Sequence, residues 1–175
     1  GTFATLGGKR WRGELHVVAG DAAPIVVNRL PLEEYLRGVV PLEIGTDRAR
    51  DRAAVQAQAV AARSYAVMRL AHPSRPFDVF ATVDDQVYGG VESEREWSDE
   101  GVASTRGLVL SYGGEVVSAP YHSTWGGRTA ETTEVWRGAG LPHAAVRVEH
   151  EGAARIVLVV QEEFAQPALH RLRRV

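Results

Sequence analysis

Leu30-Pro31-Leu32-Glu33-Glu34-Tyr35-Leu36-Arg37-Gly38-Val39-Val40-Pro41-Leu42-Glu43 is the stretch on which the reading of this 175-residue chain turns. Pro31 fits the start of a helix, where the first amides have no internal acceptor and proline loses nothing by lacking one. Glu33 and Glu34 then fall in the first turn, where the helix dipole favours negative charge. The apolar spacing that follows describes a short amphipathic helix ending at Pro41, and two residues later Glu43 emerges from almost wholly apolar sequence. Desolvation disfavours the charged form of a carboxyl group, so such a residue holds its proton toward neutral pH and is a candidate proton donor. A solvated or capping glutamate is the competing reading of Glu43.

Upstream, residues 11–18 and 24–28 read as two strands of a hairpin joined through the turn-prone Ala19-Gly20-Asp21. Downstream, residues 49–70 are rich in Ala and Arg and predict a longer helix that stops before His72-Pro73-Ser74-Arg75-Pro76. Val55, Ala59, Ala62 and Ala66 share one stripe of that helix, a seam of small residues that lets another element approach closely. Gln56 with Arg63 and Gln58 with Tyr65 flank the seam at a spacing of seven, so the helix is packed yet borders a polar cleft; an ordinary core helix with surface glutamines is the alternative. Asp84-Asp85-Gln86-Val87-Tyr88-Gly89-Gly90 reads as a short strand entering a glycine turn. A helix over residues 97–105, capped by Ser98 or Ser93, follows. Residues 108–112 and 115–123 make a second hairpin across Gly113-Gly114, residues 124–136 a loop and a helical turn, and residues 155–160 a last strand. Helices and strands mix without βαβ alternation. The expected fold is therefore α+β over residues 1–175 as one domain: mixed antiparallel sheets with a long Ala-rich helix.

Composition bounds the function classes. At 45% hydrophobic, 24% charged and a net charge of -2, the chain has the make-up of a globular domain. It lacks the long Lys/Arg block that a dedicated nucleic-acid binder uses against phosphates; Arg171-Leu172-Arg173-Arg174 is too short for that. No apolar run reaches the roughly 18 residues of a membrane span. With no cysteine, disulfides, thiol catalysis and thiolate metal sites are excluded together. The start at Gly1, without a charged and apolar leader, reads as a processed or excised segment whose signal is absent or removed.

The second polar cluster is Tyr121-His122-Ser123-Thr124-Trp125-Gly126-Gly127-Arg128-Thr129. Aromatic faces and short hydrogen-bonding groups are what a sugar needs, and Gly126-Gly127 lets backbone amides come close to a ligand; a glycine turn with an exposed His122 is the alternative. A Ser/His hydrolase does not fit, because Ser123 lacks a Gly-x-Ser-x-Gly context and adjacent residues of a strand face opposite ways. The six histidines are scattered without metal-ligand spacing, and His122 with Asp84 or Asp85 makes only a partial set, so neither a metal nor a nucleotide cofactor is expected.

Taken in order, these segments resemble the SpoIID/LytB family of bacterial cell-wall proteins. The resemblance is carried by residues 28–43, by Gln56-Ala57-Gln58-Ala59-Val60-Ala61-Ala62-Arg63-Ser64-Tyr65-Ala66, by Gln86-Val87-Tyr88-Gly89-Gly90, by Thr105-Arg106-Gly107-Leu108-Val109-Leu110, and by Tyr121-His122-Ser123 with Gly126-Gly127-Arg128-Thr129-Ala130 and Glu134-Val135-Trp136. It covers roughly residues 10–136 and leaves residues 137–175 unmatched. The resemblance implies lobes around a glycan-binding cleft and an extracytoplasmic role in peptidoglycan remodelling. The activity it implies is a lytic transglycosylase cutting between N-acetylmuramic acid and N-acetylglucosamine in peptide-denuded strands. Glu43 takes the place of the catalytic glutamate, and substrate-binding roles fall on Arg63, Gln86, Tyr88, Tyr121, His122, Ser123, Gly126 and Gly127. The implied partners are glycan strands and other cell-wall hydrolases, and the alternative function is a non-catalytic enhancer of a cell-wall amidase. Many members carry cysteines and a histidine before Gln-Val-Tyr and a cysteine before Gly-Gly, positions tied in some to zinc. Here Phe80-Ala81-Thr82-Val83-Asp84-Asp85 and Trp125 stand there, which implies apolar packing by Phe80 and Trp125 in place of the ion.

Overall fold

The computed structural model describes residues 3–20, 22–45, 51–70, 75–112, 114–117, 146–149 and 155–160. Strands β1 (Phe3–Leu6) and β2 (Lys9–Arg12) form an antiparallel hairpin, followed by β3 (Glu14–Val18) and β4 (Ile25–Pro31). Helices α1 (Leu32–Ile44) and α2 (Arg52–Arg69) come next, then β5 (Val79–Phe80), a 3-10 turn at Val91–Ser93 and α3 (Glu96–Ser104). Strands β6 (Leu108–Tyr112), β7 (Glu115–Val116), β8 (Val146–Glu149) and β9 (Arg155–Val160) complete the order. The fold is α+β. Two larger sheets run β3-β4-β9-β5 and β7-β6-β8, and β9 pairs antiparallel with β4 but parallel with β5.

The core lies between the two long helices. Tyr35, Leu36, Val39 and Val40 of α1 meet Val55, Ala59, Ala62 and Ala66 of α2, all at 1% exposure or less. The alanine seam does what its spacing predicts, since small side chains let the helix backbones come together without voids. Arg63 lies on the flank of that seam with its side chain 1% exposed. Its guanidinium makes a two-pronged pair with Glu33, both contacts at 2.9 Å. It also donates to the carbonyls of Leu108 at 3.0 Å, Val102 at 3.3 Å and Ala59 at 3.4 Å. One cation thus joins α1, α2, α3 and the start of β6.

Several expectations are corrected. Helix α1 does not end at Pro41 but runs through it to Ile44, so Glu43 sits in the last helical turn rather than on a loop. Proline removes an N–H and crowds the carbonyl one turn before it, here that of Arg37; the helix continues past it, and Gly45 at φ 76° then closes it. The single strand expected over residues 11–18 breaks into β2 and β3 at Gly13, whose φ is 74°. A Cβ there would lie 2.2 Å from the Arg29 carbonyl oxygen, and the buried Asn28 amide brackets the kink by donating to the carbonyls of Arg12 and Glu14 at 2.8 and 3.0 Å. No strand forms over residues 84–88, because its donors go to other partners, including a carboxylate at Val87. Neither Ser98 nor Ser93 caps α3: its N-cap is Arg95, Ser98 Oγ donates to the Arg95 carbonyl, and Ser93 Oγ donates to Gly38 and Gly90. The hairpin β1–β2 and strand β8 were not expected, and β9, within the stretch without a matched motif, is an inner strand of the larger sheet. Residues 118–123 of the expected second hairpin and residues 124–136 lie outside the described residues.

Gly38 sets the spacing on the far side of α1. A Cβ there would fall 2.3 Å from Tyr88 Cε2, so the ring of Tyr88 lies directly on the helix backbone. Tyr88 in turn sits between Trp11 of β2 at 5.9 Å and Tyr35 of α1 at 5.3 Å, ring centre to ring centre. Substitution Gly38→Ala is expected to lower stability by about 1–3 kcal/mol through overpacking, read as a lower urea midpoint with an unchanged slope. Arg63→Lys keeps the charge but loses the two-pronged geometry and two carbonyl contacts; a loss above about 2 kcal/mol is expected in the same assay.

Candidate functional site

Glu43 leaves the last turn of α1 half-buried, and the amide of Val87 donates to its Oε1 at 2.8 Å. Burial pushes the carboxyl group's pKa up, and the Val87 bond offsets part of that shift because it favours the charged form. The result is a carboxyl group that holds its proton to higher pH than an ordinary glutamate, with one oxygen oriented by a backbone donor. The environment that the apolar sequence before Glu43 predicts is the one the structure gives it, although the residue is reached through a helical turn.

Val87 belongs to a segment without regular structure, and the side chains before it explain how it is held. The Asp85 carboxylate, 7% exposed, accepts from Tyr65 OH at 2.8 Å, Arg69 Nε at 2.6 Å and the Phe80 amide at 2.8 Å. Burial and the Asp85 bond push the Tyr65 hydroxyl up to about 12. The Arg69 guanidinium lies 4.0 Å from the centre of the Tyr65 ring. Gln86 is fully buried: Tyr35 OH donates to its Oε1 at 3.1 Å, and its Nε2 donates to the Ala62 carbonyl at 3.3 Å. On the other side, the amides of Tyr88 and Gly89 donate to the carbonyls of Ala81 and Gly38. A groove of about 450 Å³ opens beside this segment, lined by Trp11, Leu42, Val87 and Tyr88 with Glu92 and Arg95 among its polar walls.

The residues singled out from sequence therefore separate into groups. Glu43 is bonded to the Val87 amide, and its neighbours Leu42 and Val87, rather than Glu43 itself, line the groove. Tyr88 lines the groove but is 5% exposed and forms the middle of an aromatic stack. Gln86 and Arg63 are closed off from solvent, and their polar atoms are engaged inside the protein. Tyr121, His122, Ser123, Gly126 and Gly127 lie outside the described residues, as does Trp125. Sequence reasoning passed over Asp85 as a partial metal ligand and Tyr65 as a cleft-facing stripe. The signal was there in Tyr65 and Arg69, one helical turn apart on α2.

The resemblance implies apolar packing by Phe80 and Trp125 at positions that some members tie to zinc. Phe80 does pack on Phe77, at 4.9 Å between ring centres, but it also supplies its amide to Asp85. Among the described residues no three metal-ligating side chains come together, and Asp85 is engaged by a guanidinium, a hydroxyl and an amide; His122 lies outside the described residues.

Residues 21–112, just over half of the chain, match the family model SpoIID, described as stage II sporulation protein. An uncharacterized protein of Brachyspira hyodysenteriae is 36% identical over 142 residues, 79% of this chain and 38% of that protein. The amidase enhancer of Bacillus subtilis is 36% identical over 58% of this chain and 13% of its own length. Stage II sporulation protein D of the same organism is 31% identical over 65% of this chain and 37% of its own length. The chain thus spans 38% or less of each of these relatives. Among the described residues no helix is long and apolar enough to cross a membrane. The matched region takes in α1 with Glu43, α2, and the segment that presents the Val87 amide, and on that match the chain belongs to the SpoIID family.

Proposed function

We propose that the chain acts outside the cytoplasmic membrane as a lytic transglycosylase on peptidoglycan strands stripped of their peptides, with Glu43 as both acid and base. The observation that carries this reading is the seat of Glu43, a half-buried carboxyl group with a raised pKa and one oxygen fixed by Val87 N–H. Protonated Glu43 gives its proton to the oxygen linking N-acetylmuramic acid to N-acetylglucosamine, and the C1–O bond breaks. The 6-hydroxyl of the same muramic residue attacks C1, and its proton passes to the Glu43 carboxylate. The products are a 1,6-anhydro end and a free hydroxyl on the departing sugar, with no water consumed and the acid regenerated. An internal nucleophile removes the need for the second carboxylate that glycoside hydrolases use. The Val87 amide favours the carboxylate that forms as the proton leaves.

In this reading the groove beside Val87 takes the sugar chain, Tyr121, His122, Ser123, Gly126 and Gly127 contribute to binding it, and Arg63, Gln86 and Tyr88 hold the frame. A second reading has support in a relative's name: the matched protein of Bacillus subtilis is an amidase enhancer. In that case the chain binds glycan and a partner hydrolase cuts.

Mass spectrometry of peptide-free glycan strands incubated with the protein decides between them. Anhydro-muramic ends are expected from the parent, and Glu43→Gln is expected to lower their rate by about 100-fold to 10,000-fold. No such ends from the parent, with faster release by an added amidase, would establish the enhancer instead. Because the acid form starts the reaction, the basic limb of the rate profile is expected to fall as pH rises through the raised pKa of Glu43.

The same raised pKa has a consequence for stability. A carboxyl group whose folded pKa lies above its unfolded value contributes stability that is fully present below the unfolded value and is lost as pH rises through the folded one. Glu43→Gln stays neutral throughout, so it is expected to match the parent at about pH 4 and exceed it at about pH 8 in urea unfolding.

A further inference from the structure

We infer that Asp85 is a positioning residue for Glu43, acting through the Val87 amide, and that Tyr65, Arg69 and the Phe80 amide are the latch that makes it one. The inference rests on Glu43 being the proton donor, and the experiment below separates the two.

The argument starts from where the backbone of residues 81–90 is fixed. The segment has no sheet ladder, so Val87 cannot be placed by a neighbouring strand. It is placed by anchors on both sides. At Asp85 the carboxylate reaches two elements of regular structure at once: Tyr65 and Arg69 of α2 on Oδ1, and the β5 backbone at Phe80 on Oδ2. Gln86, next in the chain, is bonded to Tyr35 of α1 and to the Ala62 carbonyl of α2. Beyond Val87, the amides of Tyr88 and Gly89 are bonded to Ala81 and Gly38. Val87 N–H therefore meets Glu43 Oε1 at 2.8 Å because the chain around it is tied to the same two helices that carry the core.

Asp85 is the strongest of these anchors and the one whose chemistry allows no substitute. An ionised carboxylate only accepts, and here three donors converge on it, one of them a cation. Hydrogen bonds to ionised groups are short and roughly twice as strong as neutral ones. An asparagine has the same shape but would turn an NH2 toward either Phe80 N–H or the Tyr65 and Arg69 donors. A carboxylate this buried is costly unless each oxygen is satisfied. Holding an irregular loop at fixed distance from a reacting group is a use in which such a rigid network is repaid in geometry. The outer leg is the softest: the Arg69 side chain is 38% exposed and lines a cavity of about 300 Å³ together with Arg75, Asp78 and Asp84.

The test reads the Glu43–Val87 bond directly, by amide NMR of the whole chain. The Val87 resonance is identified by its response to Glu43→Gln, and in the parent it is expected downfield, with a step that follows Glu43 through its titration. In Asp85→Asn that resonance is expected to move upfield and lose most of the step, while the Ala59 and Ala62 amides of α2 stay in place. Tyr65→Phe removes one donor at constant shape. It is expected to move Val87 the same way by a smaller amount, and it carries the test if Asp85→Asn does not fold. On glycan strands, turnover by Asp85→Asn is expected to fall by about tenfold to a hundredfold with KM changed far less, as for a misplaced reacting group. A Val87 resonance unmoved in both variants, with stability alone reduced, overturns the inference. If the parent releases no anhydro ends but Val87 still responds to Asp85→Asn, the lytic reading fails and the positioning role stands.

Discussion

The Gly38 carbonyl accepts from the Gly89 amide at 3.3 Å and from Ser93 Oγ at 3.0 Å, at a point on α1 where no Cβ keeps the chain away. That close approach is the constraint on which the rest of the site depends. It lays the ring of Tyr88 on the helix, and through Tyr88 it brings Trp11 and the N-terminal hairpin against the core. It also fixes how far along α1 the segment 86–90 can sit. Glu43 lies five residues beyond Gly38, a little over one turn later, so the chain that contacts Gly38 at Gly89 has Val87 within reach of the carboxyl group. A side chain at position 38 would push away the donor that orients the acid.

Helix α2 acts as the spine to which two buried ionic hubs of opposite sense are attached. Arg63 is a cation surrounded by acceptors, the Glu33 carboxylate and three carbonyls; Asp85 is an anion surrounded by donors, two of them on Tyr65 and Arg69 of the same helix. Burying either charge alone would be prohibitive, and each is tolerated because its whole hydrogen-bonding capacity near the core is used. The two hubs hold different things. Arg63 ties together regular elements, whereas Asp85 ties down a stretch that has no ladder of its own. This division explains why α2 needs both a small-residue seam and long polar side chains along its flanks.

Most of the helical scaffold was legible in the sequence because its signals are local. The alanine stripe of α2, the acidic first turn of α1 and the strand at residues 108–112 all come from spacing and propensity, and the structure has them. Glu43 was legible for a related reason: apolar residues around a carboxyl group foretell desolvation wherever the chain goes. The misreadings share a cause as well. Pro41 reads as a stop because proline usually ends a helix, yet its cost falls on the turn before it and the helix runs on to Ile44. Val87 and Tyr88 have strand-forming character, but their amides are claimed by Glu43 and Ala81, which lie far away in sequence or across a turn. Arg63 and Gln86 were recognisable as special positions, yet only the packing tells that they face inward. Polar residues of a cleft and polar residues of a core look alike until their partners are known.

Strand β9 lies between β4 and β5, pairing with residues 26–31 on one side and 79–80 on the other. It follows β4 by more than a hundred residues in the chain, and it occupies an interior place in the sheet. Until residues 155–160 arrive, β4 has one edge open and β5 has no partner in that sheet. Closing a loop of more than a hundred residues is slow even though its entropic cost grows only with the logarithm of length. Contacts between α1 and α2 are local and are expected to form early, whereas the β4–β9 pairing joins segments more than a hundred residues apart and is expected to form later. In the interval the hydrophobic edge of β4, with Val26 and Val27, is a template for any other extended strand, and a nascent chain that meets one before its own β9 can pair with the wrong partner.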